Sequence, residues 1–215
     1  AGSTCALLGG NGAGKTTTLS ILLGLLLPTS GGVSILGADV IRNRYAVLPR
    51  MNFTSPYVDL PHRLTVAQNL DIYARLYGVR KRKARLSEVA RTFDLDEIWK
   101  RKYGSLSAGQ KTRVSLAKSL INEPQVLLMD EPTASLDPAS ADRVRGWLSE
   151  YQHQTGATVL LASHNMFEVE RLCDDVVMLK KGRIVDQGAP NALLQRYGRS
   201  SLEEVFIDIA RSDER

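Results

Sequence analysis

Short apolar runs bounded by glycine and proline organise the start of this 215-residue chain. The run at residues 4–8 ends at a glycine and predicts a buried strand. Residues 15–27 are mostly apolar and stop at Pro28, which predicts a helix. Glycines bound residues 31–37, which predicts a second short strand.

Helical periodicity replaces these runs in the middle of the chain. Apolar residues recur at helical spacing from residue 65 to residue 77, and Gly78 follows as a stop signal. Residues 84–93 repeat this pattern. A third helix is predicted from Ser107 to Ile121, with Ser107 as its N-cap. These helices predict a second, helical lobe inserted at about residues 57–125.

Strand patterns return after the helical segment. Residues 125–130, 158–163 and 175–185 are apolar runs, and the last has Lys181-Gly182 as a hairpin turn. Strands that alternate with helices predict an α/β fold with a largely parallel sheet covered by helices. We therefore expect three parts: a core of residues 1–56 and 126–188, a helical subdomain of residues 57–125, and a C-terminal helical extension of residues 189–215.

Composition constrains the cellular compartment and the possible partners more than it constrains the function. The net charge is +5, a mild basic excess that suits nucleic acid, an anionic membrane surface or nucleotide alike. Two cysteines, Cys5 and Cys173, form no disulfide framework, which favours a reducing cytosol. The most apolar run, residues 19–28, is shorter than the roughly 20 residues that span a bilayer. We therefore expect any membrane role to depend on a partner.

The first chemical motif is a complete phosphate-binding loop. Gly9, Gly14, Lys15 and Thr16 fit the pattern G-x-x-x-x-G-K-[ST], between a predicted strand and a predicted helix. Glycines let backbone N–H groups surround phosphates, Lys15 can reach the β- and γ-phosphates, and Thr16 can bind Mg²⁺. A chance glycine-rich turn would produce this pattern in such a chain on the order of 1% of the time. A dinucleotide fingerprint is excluded because it requires glycine at position 15.

Two acids and a histidine follow predicted strands. Asp130 and Glu131 end one strand, and His164 follows another. Ligands of open parallel sheets bind beyond the carboxyl ends of the strands. Asp130 is then placed to hold Mg²⁺, Glu131 to deprotonate an attacking water, and His164 to contact a γ-phosphate. The alternatives are acids that only meet solvent and a histidine that is an ordinary surface or core residue.

Together these motifs resemble the ATP-binding subunit of an ABC transporter. They occur in that family's order over most of the chain, and the joint pattern is far more specific than the phosphate loop alone. The fold this implies is a P-loop NTPase core of the RecA-like type. The matching segments are Walker A (residues 9–17), the signature "LSAGQ" (106–110), Walker B (126–130) with Glu131, the D-loop "SLD" (135–137) and the H-loop at His164.

The resemblance also explains the stretch "SLSAGQ", which has a serine, a glycine and a helix start but lacks a lysine. In this family two subunits pack head to tail, and the signature of one closes on the ATP bound to Walker A of the other. Ser107 and Gly109 would then present a hydroxyl and a backbone N–H to the γ-phosphate. Thr17 would reach the α-phosphate, and Asp137 would connect the two sites.

The resemblance therefore implies ATP and Mg²⁺ as cofactors and a specific set of site residues. The catalytic residues would be Lys15, Glu131 and His164. The Mg²⁺ ligands would be Thr16, Asp130 and Thr54. The nucleotide contacts would be Gly9, Gly10, Asn11, Gly12, Ala13, Gly14, Lys15, Thr16, Thr17, Ser107, Gly109, Gln110 and Asp137.

Two departures from the family pattern stand out. An aromatic residue that stacks on adenine usually lies upstream of Walker A, and this chain begins eight residues before Gly9. We therefore expect the first strands of the domain to be missing. The family also has a glutamine between its two lobes, where "NFTSP" places Thr54. Gln68 is too far along the chain, and Arg50 or Asn52 would serve if the register were shifted.

Weaker signals concern the partner. The tail "SSLEEVFIDIAR" resembles cassettes of drug or polysaccharide exporters, although an ordinary amphipathic helix has the same spacing. The basic run at residues 79–85 fits a solvated helix face, or a contact with anionic lipid or a membrane subunit. No aromatic residues interleave this run, so no nucleic acid partner is expected.

We therefore expect an exporter ATPase. It would form a homodimer or pseudo-symmetric dimer and bind a transmembrane permease subunit at the cytoplasmic face of the inner membrane. The alternative is a soluble ABC ATPase that acts on a macromolecule such as the ribosome or DNA.

Overall fold

Strands and helices alternate around one central sheet in the computed structural model, which describes residues 2–134 and 136–211. The strands are β1 (Thr4–Leu8), β2 (Ser34–Ile35), β3 (Ala38–Asp39), β4 (Met51–Thr54), β5 (Val126–Asp130), β6 (Thr158–Ala162), β7 (Asp175–Lys180) and β8 (Arg183–Gly188). The larger sheet has the order β4-β5-β6-β1-β7-β8 and is parallel except between β7 and β8. The predicted α/β fold is confirmed.

Helices cover both faces of this sheet. They are α1 (Lys15–Leu22), α2 (Val40–Asn43), α3 (Val66–Leu76), α4 (Arg82–Thr92), α5 (Ala108–Ser119), α6 (Pro138–Thr155), α7 (Met166–Leu172), α8 (Pro190–Tyr197) and α9 (Leu202–Arg211). α3 and α5 both begin with a capping box, in which a Thr or Ser and a Gln three residues later satisfy each other's backbone N–H groups. Ser107 is the N-cap of α5, as predicted.

Alternation along the strands divides the core between the two faces. Leu127 and Met129 of β5 pack in one cluster with Leu70 of α3 and Leu116 of α5. Leu128 lies in a second cluster with Leu19 of α1. All of these side chains are buried. The helical segment between β4 and β5 therefore shares its core with the sheet, and the domain boundaries given above remain predictions.

Parallel pairing brings three carboxyl ends of strands to one edge. β6 lies between β1 and β5, and Ala162 pairs with Leu7 on one side and Asp130 on the other. The segments that follow these strands are the loop at Gly9, the acid Glu131 and the pair Ser163-His164. Ligands of open α/β sheets bind at this edge.

Two predicted elements are shorter than expected. α1 ends at Leu22 and not at Leu27, because the chain turns at Gly24, whose φ of 67° lies in the left-handed region. Leu25 and Leu27 are consequently exposed. Residues 31–37 contribute only β2, because the chain reverses into β3 to form a hairpin.

The basic run at residues 79–85 is partly used within the fold. Arg82 pairs with Asp71 of α3, and Arg85 donates to the carbonyl oxygens of Leu120 and Ile121. The other three cations, Arg80, Lys81 and Lys83, are exposed. None of the helices in the described residues is long and apolar enough to cross a membrane.

Candidate nucleotide-binding site

The loop between β1 and α1 depends on two glycines. A Cβ atom at Gly9 would lie 2.7 Å from both Ala13 Cβ and Leu179 O, so no other residue fits there. Gly14 has a φ of 106° and serves as the N-cap of α1, where it provides no side-chain cap. The first backbone N–H groups of α1 therefore face the loop without a capping side chain. An uncapped helix N-terminus is suited to bind an anion.

Lys15 places its charge over this loop. Its Nζ donates to Gly9 O at 2.5 Å and to Gly10 O at 3.3 Å. Thr16 and Thr17 follow at the exposed start of α1. The structure therefore gathers the residues of the predicted phosphate loop in one place, with a cation above the helix N-terminus.

Asp130 and Glu131 lie at the carboxyl end of β5. Burial and the neighbouring charge of Glu131 raise the pKa of Asp130, and the charge of Lys15 opposes this shift. Glu131 has a φ of 49°, which is uncommon for a residue other than glycine, and its N–H donates to Ala162 O at 2.8 Å. Such backbone conformations cost on the order of 1–3 kcal/mol and often occur at functional sites.

Glu131 and His164 contact each other across neighbouring strand ends. His164 Nδ1 lies 2.6 Å from Glu131 Oε1. The carboxylate is mostly buried, whereas the imidazole is 70% exposed. The sequence pattern predicts both residues at this edge but gives no sign that they pair. The arrangement fixes the carboxylate through His164, which lines a pocket together with Gly9, Gly10 and Asn11 of the phosphate loop.

The predicted signature residues lie at the N-terminus of α5. Gln110 N donates to Ser107 Oγ at 3.3 Å, and Ser107 N donates to Gln110 Oε1 at 3.0 Å. Gly109 is adjacent to Leu136, because a Cβ atom at Gly109 would lie 3.7 Å from Leu136 Cδ2. α5 also forms one wall of a groove whose other wall includes Glu131 and Pro132.

Asp137 of the predicted D-loop is the N-cap of α6. Its Oδ1 accepts from Ala139 N at 3.1 Å and from Ser140 N at 3.0 Å. Hydrogen bonds from Ser140, through its side chain and its backbone, hold the pKa of Asp137 below the ordinary value. Ser135, the first residue of that motif, lies outside the described residues.

The side chain of Thr54 forms a hydrogen bond within the fold. Its Oγ1 lies 2.9 Å from Ser115 Oγ of α5, and the residue is buried.

The other candidates for the glutamine position are also bonded within the fold. Asn52 Nδ2 donates to Asn122 at 2.8 Å, Arg50 donates to Gln125, and Gln68 belongs to the capping box of α3. These contacts give every candidate for the glutamine position a structural partner. The structure therefore offers no support for Thr54 as a metal ligand.

Two buried charged residues have no signal in the sequence pattern. Glu168 is 1% exposed and accepts hydrogen bonds from Thr133 Oγ1 at 2.9 Å and Ser163 Oγ at 3.0 Å. Burial raises the pKa of Glu168, and the two hydroxyls and the charge of Arg145 oppose this shift. Asn165 is the N-cap of α7, and its side chain accepts a hydrogen bond from the backbone N–H of Glu168. The sequence pattern around Glu168 therefore indicates the start of a helix but not the burial of its carboxylate.

Lys118 is the second of these residues, and it connects α5 to β4. Its Nζ donates to Asn52 Oδ1 and Phe53 O, both at 3.1 Å, and lies 5.3 Å from the centre of the Tyr73 ring. Burial lowers the pKa of Lys118 to about 8. Lys118 is one of several cations in α5, and nothing in the sequence pattern indicates that it is buried.

The donor set at the strand edge suits Mg²⁺. Thr16 offers a hydroxyl and Asp130 a carboxylate, and Mg²⁺ in nucleotide sites uses one or two carboxylates with phosphates and water. The described residues contain no group of three His, Cys, Asp or Glu side chains that would hold a metal by themselves. Thr16 and Asp130 therefore fit a metal that arrives with a nucleotide.

A lysine-bearing loop at an uncapped helix N-terminus, with two acids at the carboxyl end of β5, which β6 separates from β1, defines a P-loop nucleotide-binding protein. The family model for ABC transporters matches residues 1–134. The Nod factor export ATP-binding protein I of Ralstonia nicotianae is 37% identical over 216 residues, which span 96% of this chain and 65% of that protein. The ABC transporter ATP-binding protein NatA of Bacillus subtilis is 32% identical, over 96% of this chain and 85% of that protein.

Solved structures agree with this assignment. A structure described as the ATP-binding subunit of an ABC transporter superposes with a TM-score of 0.89 at 28% identity, over 97% of this chain and 88% of that one. The cbiO1 protein of Clostridium perfringens, part of the ABC transporter complex cbiONQ, gives a TM-score of 0.80 at 29% identity, over 91% and 80%. This chain therefore belongs to the ABC transporter family, as its motifs predicted, and the ATP-binding proteins of that family are ATPases.

Proposed function

We propose that this chain is the ATP-binding and ATP-hydrolysing motor of an ABC exporter, coupled to a transmembrane permease. The observation that carries the proposal is the Glu131–His164 pair, held at 2.6 Å, in which His164 lines a pocket together with Gly9, Gly10 and Asn11 of the phosphate loop. A fixed carboxylate next to a phosphate cradle is the arrangement needed to activate water against a γ-phosphate.

The side chains divide the reaction between them. Lys15 pairs with the β- and γ-phosphates in place of the loop carbonyls that it contacts in this structure. Glu131 accepts a proton from water as the water oxygen bonds to the γ-phosphorus. The bond from that phosphorus to the β–γ bridging oxygen breaks, and its electron pair leaves with ADP. His164 keeps the carboxylate oriented through Oε1.

Bound Mg²⁺ would neutralise charge on the β- and γ-phosphates. Thr16 and Asp130 are the side chains that would hold it, for the chemical reasons given above. Thr54 is left out of this set because its hydroxyl pairs with Ser115.

The N-terminus of α5 completes the proposal. Ser107 and Gly109 form a second helix start suited to phosphate, and the stretch SLSAGQ that contains them has no lysine. A head-to-tail dimer would bring this start to the ATP held by the other copy, and so the working unit is a dimer around two ATP molecules.

The export role rests on relatives and on the C-terminal region. Two similar proteins are an export ATP-binding protein and NatA, and the shared region includes almost all of this chain. Helix α9 contains the exporter-like tail, and it buries Leu202, Val205 and Ile209 against the domain. We expect the chain to act at the cytoplasmic face of the membrane through its permease.

The test replaces Glu131 with Gln in the full-length gene product. The rate of ATP hydrolysis should fall by about 10²- to 10⁴-fold, because a general base is lost, while ATP binding persists. Glu150→Gln, which changes an exposed carboxylate of α6, is the matched control. Equal rates for Glu131→Gln and the parent would remove Glu131 from the mechanism.

The partner is tested separately. Co-purification with a polytopic membrane protein, and stimulation of hydrolysis by it, would support the motor. Stimulation by RNA or DNA in the absence of such a protein would support a soluble ATPase instead.

A further inference from the structure

The hydroxyl of Ser163 sits between two carboxylates. Ser163 Oγ lies 3.0 Å from Glu168 Oε2 and 3.5 Å from Glu131 Oε2, and it accepts a hydrogen bond from Asn165 N at 3.1 Å. A serine hydroxyl carries one proton. Only one of the two carboxylates can therefore receive it at a time.

The distances decide which carboxylate receives this proton. A separation of 3.0 Å lies within the usual range for an O–H···O bond, and 3.5 Å lies outside it. Thr133 Oγ1 donates to the other oxygen of Glu168 at 2.9 Å, so Glu168 is bonded at both oxygens and is 1% exposed. The Ser163 proton therefore belongs to Glu168.

Glu131 is left with one oxygen free of a close donor. Its Oε1 faces His164, and within the described ranges, 2–134 and 136–211, its Oε2 has only the long contact with Ser163. A hydrogen bond donated to a carboxylate stabilises the charged form and makes that carboxylate a weaker base. Withholding the Ser163 proton thus keeps Glu131 able to take a proton from water.

We propose that Glu168 is a positioning residue for ATP hydrolysis, which binds the Ser163 proton and so keeps it from the carboxylate of Glu131. This inference rests on the proposed function, in which Glu131 is the base. Glu168 itself touches neither nucleotide nor water in this role. It acts through a hydroxyl that would otherwise bond the base.

The first test is Glu168→Gln in the full-length gene product. Where the new amide N–H₂ faces Ser163, the serine accepts from it and turns its proton to Glu131. The kcat for ATP hydrolysis should then fall about tenfold, with little change in the KM for ATP, since the phosphate loop is untouched. Glu168→Met offers Ser163 only a weak thioether acceptor in place of a carboxylate and should have the same effect.

Rescue separates this role from a structural one. Ser163→Ala removes the proton in question, so the doubles Ser163→Ala/Glu168→Gln and Ser163→Ala/Glu168→Met should regain kcat relative to their Glu168 singles. Rescue in at least one pair supports the proposal. Absence of rescue in both pairs overturns it, because a purely structural defect should add to the loss of a second buried group.

Ser163→Ala alone gives an independent check that does not depend on the folding of the Glu168 variants. Its kcat should stay within about twofold of the parent, because for Glu131 it removes only a competing donor, while its lost bonds to Glu168 and Asn165 lower stability instead. A tenfold loss in this single variant would also overturn the proposal. Glu131→Gln is measured alongside: if it hydrolyses ATP at the parent rate, it is the proposed function that fails, and the failure is distinct from a missing rescue.

Discussion

Two helix N-termini in this chain are suited to phosphate, and they differ in how they are capped. α1 starts at Gly14, which offers no side chain, and Lys15 lies over the loop in front of it. α5 starts at Ser107, whose capping box with Gln110 satisfies the backbone N–H groups of both residues. The N-terminus of α1 therefore has the lysine of an anion site but no capping side chain, whereas the N-terminus of α5 has a capping side chain but no lysine over its loop.

This difference explains how one serine can serve folding and binding. The capping bond uses Ser107 Oγ as an acceptor from Gln110 N. A hydroxyl has one donor in addition to its acceptor lone pairs, so the Ser107 proton remains available for a phosphate oxygen. A phosphate delivered by another copy would therefore bind α5 without breaking its cap. α1, in contrast, gains its missing partner from the nucleotide itself.

Lys15→Met should produce the largest effect, because it removes the cation that makes the α1 site complete. The rate of ATP hydrolysis should fall by about 10²- to 10³-fold, as when a preorganised electrostatic group is removed. Lys111→Met, in the first turn of α5, is the matched control and should change hydrolysis much less. A parent-like rate for Lys15→Met would mean that the two helix starts do not differ as described.

The two helices also differ in how they are anchored, which gives a prediction about pH. α1 is anchored by the apolar Leu19, whereas α5 is anchored by the buried ammonium of Lys118 in addition to apolar residues such as Leu116. The pKa of Lys118 is lowered to about 8 from an ordinary 10.5. Between these values the unfolded chain binds more protons than the folded one, so this group makes the protein more stable as pH rises and less stable as it falls.

Lys118→Met should remove this dependence. The free energy of unfolding of the parent minus that of the variant should rise by up to about 3 kcal/mol from pH 8 to pH 10.5, measured by urea unfolding. The difference is the right quantity, because the buried Tyr103 and Cys173 also titrate at high pH, with raised pKa values, and appear in both proteins. A flat difference would show that the ammonium is not desolvated in the folded state.

Ser107→Ala tests the double role of the α5 cap against a matched helix. Thr65 and Gln68 form the same capping box on α3, which has no predicted phosphate contact. Thr65→Ala and Ser107→Ala should each lower stability by about 1 kcal/mol. Only Ser107→Ala should also weaken ATP-dependent dimerisation, measured by size exclusion in the Glu131→Gln background.

Ser107→Arg sharpens the same test. Arginine is too bulky for close approach of backbone and phosphate. In the Glu131→Gln background with Mg²⁺ and ATP, Ser107→Arg should therefore run as a monomer on size exclusion. A dimer that survives Ser107→Arg, or one that Thr65→Ala weakens equally, would contradict the proposed contact between α5 and the nucleotide of the other copy.

Sequence patterns predicted those parts of the molecule that short-range physics determines. The strand at residues 4–8, the loop glycines and the Ser107 cap follow from apolar runs and backbone requirements within a few residues. The hairpin turn at Lys181-Gly182 does as well, since both residues have positive φ. The strand-end positions of Glu131 and His164 followed from the alternation of strands and helices.

Tertiary packing determines the rest, and the sequence shows it poorly. The burial of Glu168 and Lys118 depends on hydroxyls and carbonyls that lie 35 and 65 residues away, at Thr133 and Phe53. The direction of Thr54 depends on strand register, because a shift of one residue moves a side chain to the other face of the sheet. Thr54 pairs with Met129, which belongs to the α5 side of the core.

The smallest effect is expected from the hydroxyl pair of Thr54 and Ser115, which joins β4 to α5. Thr54→Val and Ser115→Ala should each lower the free energy of unfolding by about 1 kcal/mol, and the double variant should lose less than the sum, because neither partner is then left unsatisfied. Basal hydrolysis should stay within about twofold in all three, since Thr54 is bonded to α5 and not to the reacting groups. The change should appear instead in stimulation by the permease, because this pair connects the strand edge to the signature helix. A tenfold loss of basal rate in Thr54→Val, without a matching loss in Ser115→Ala, would place the Thr54 hydroxyl at the metal or the water after all.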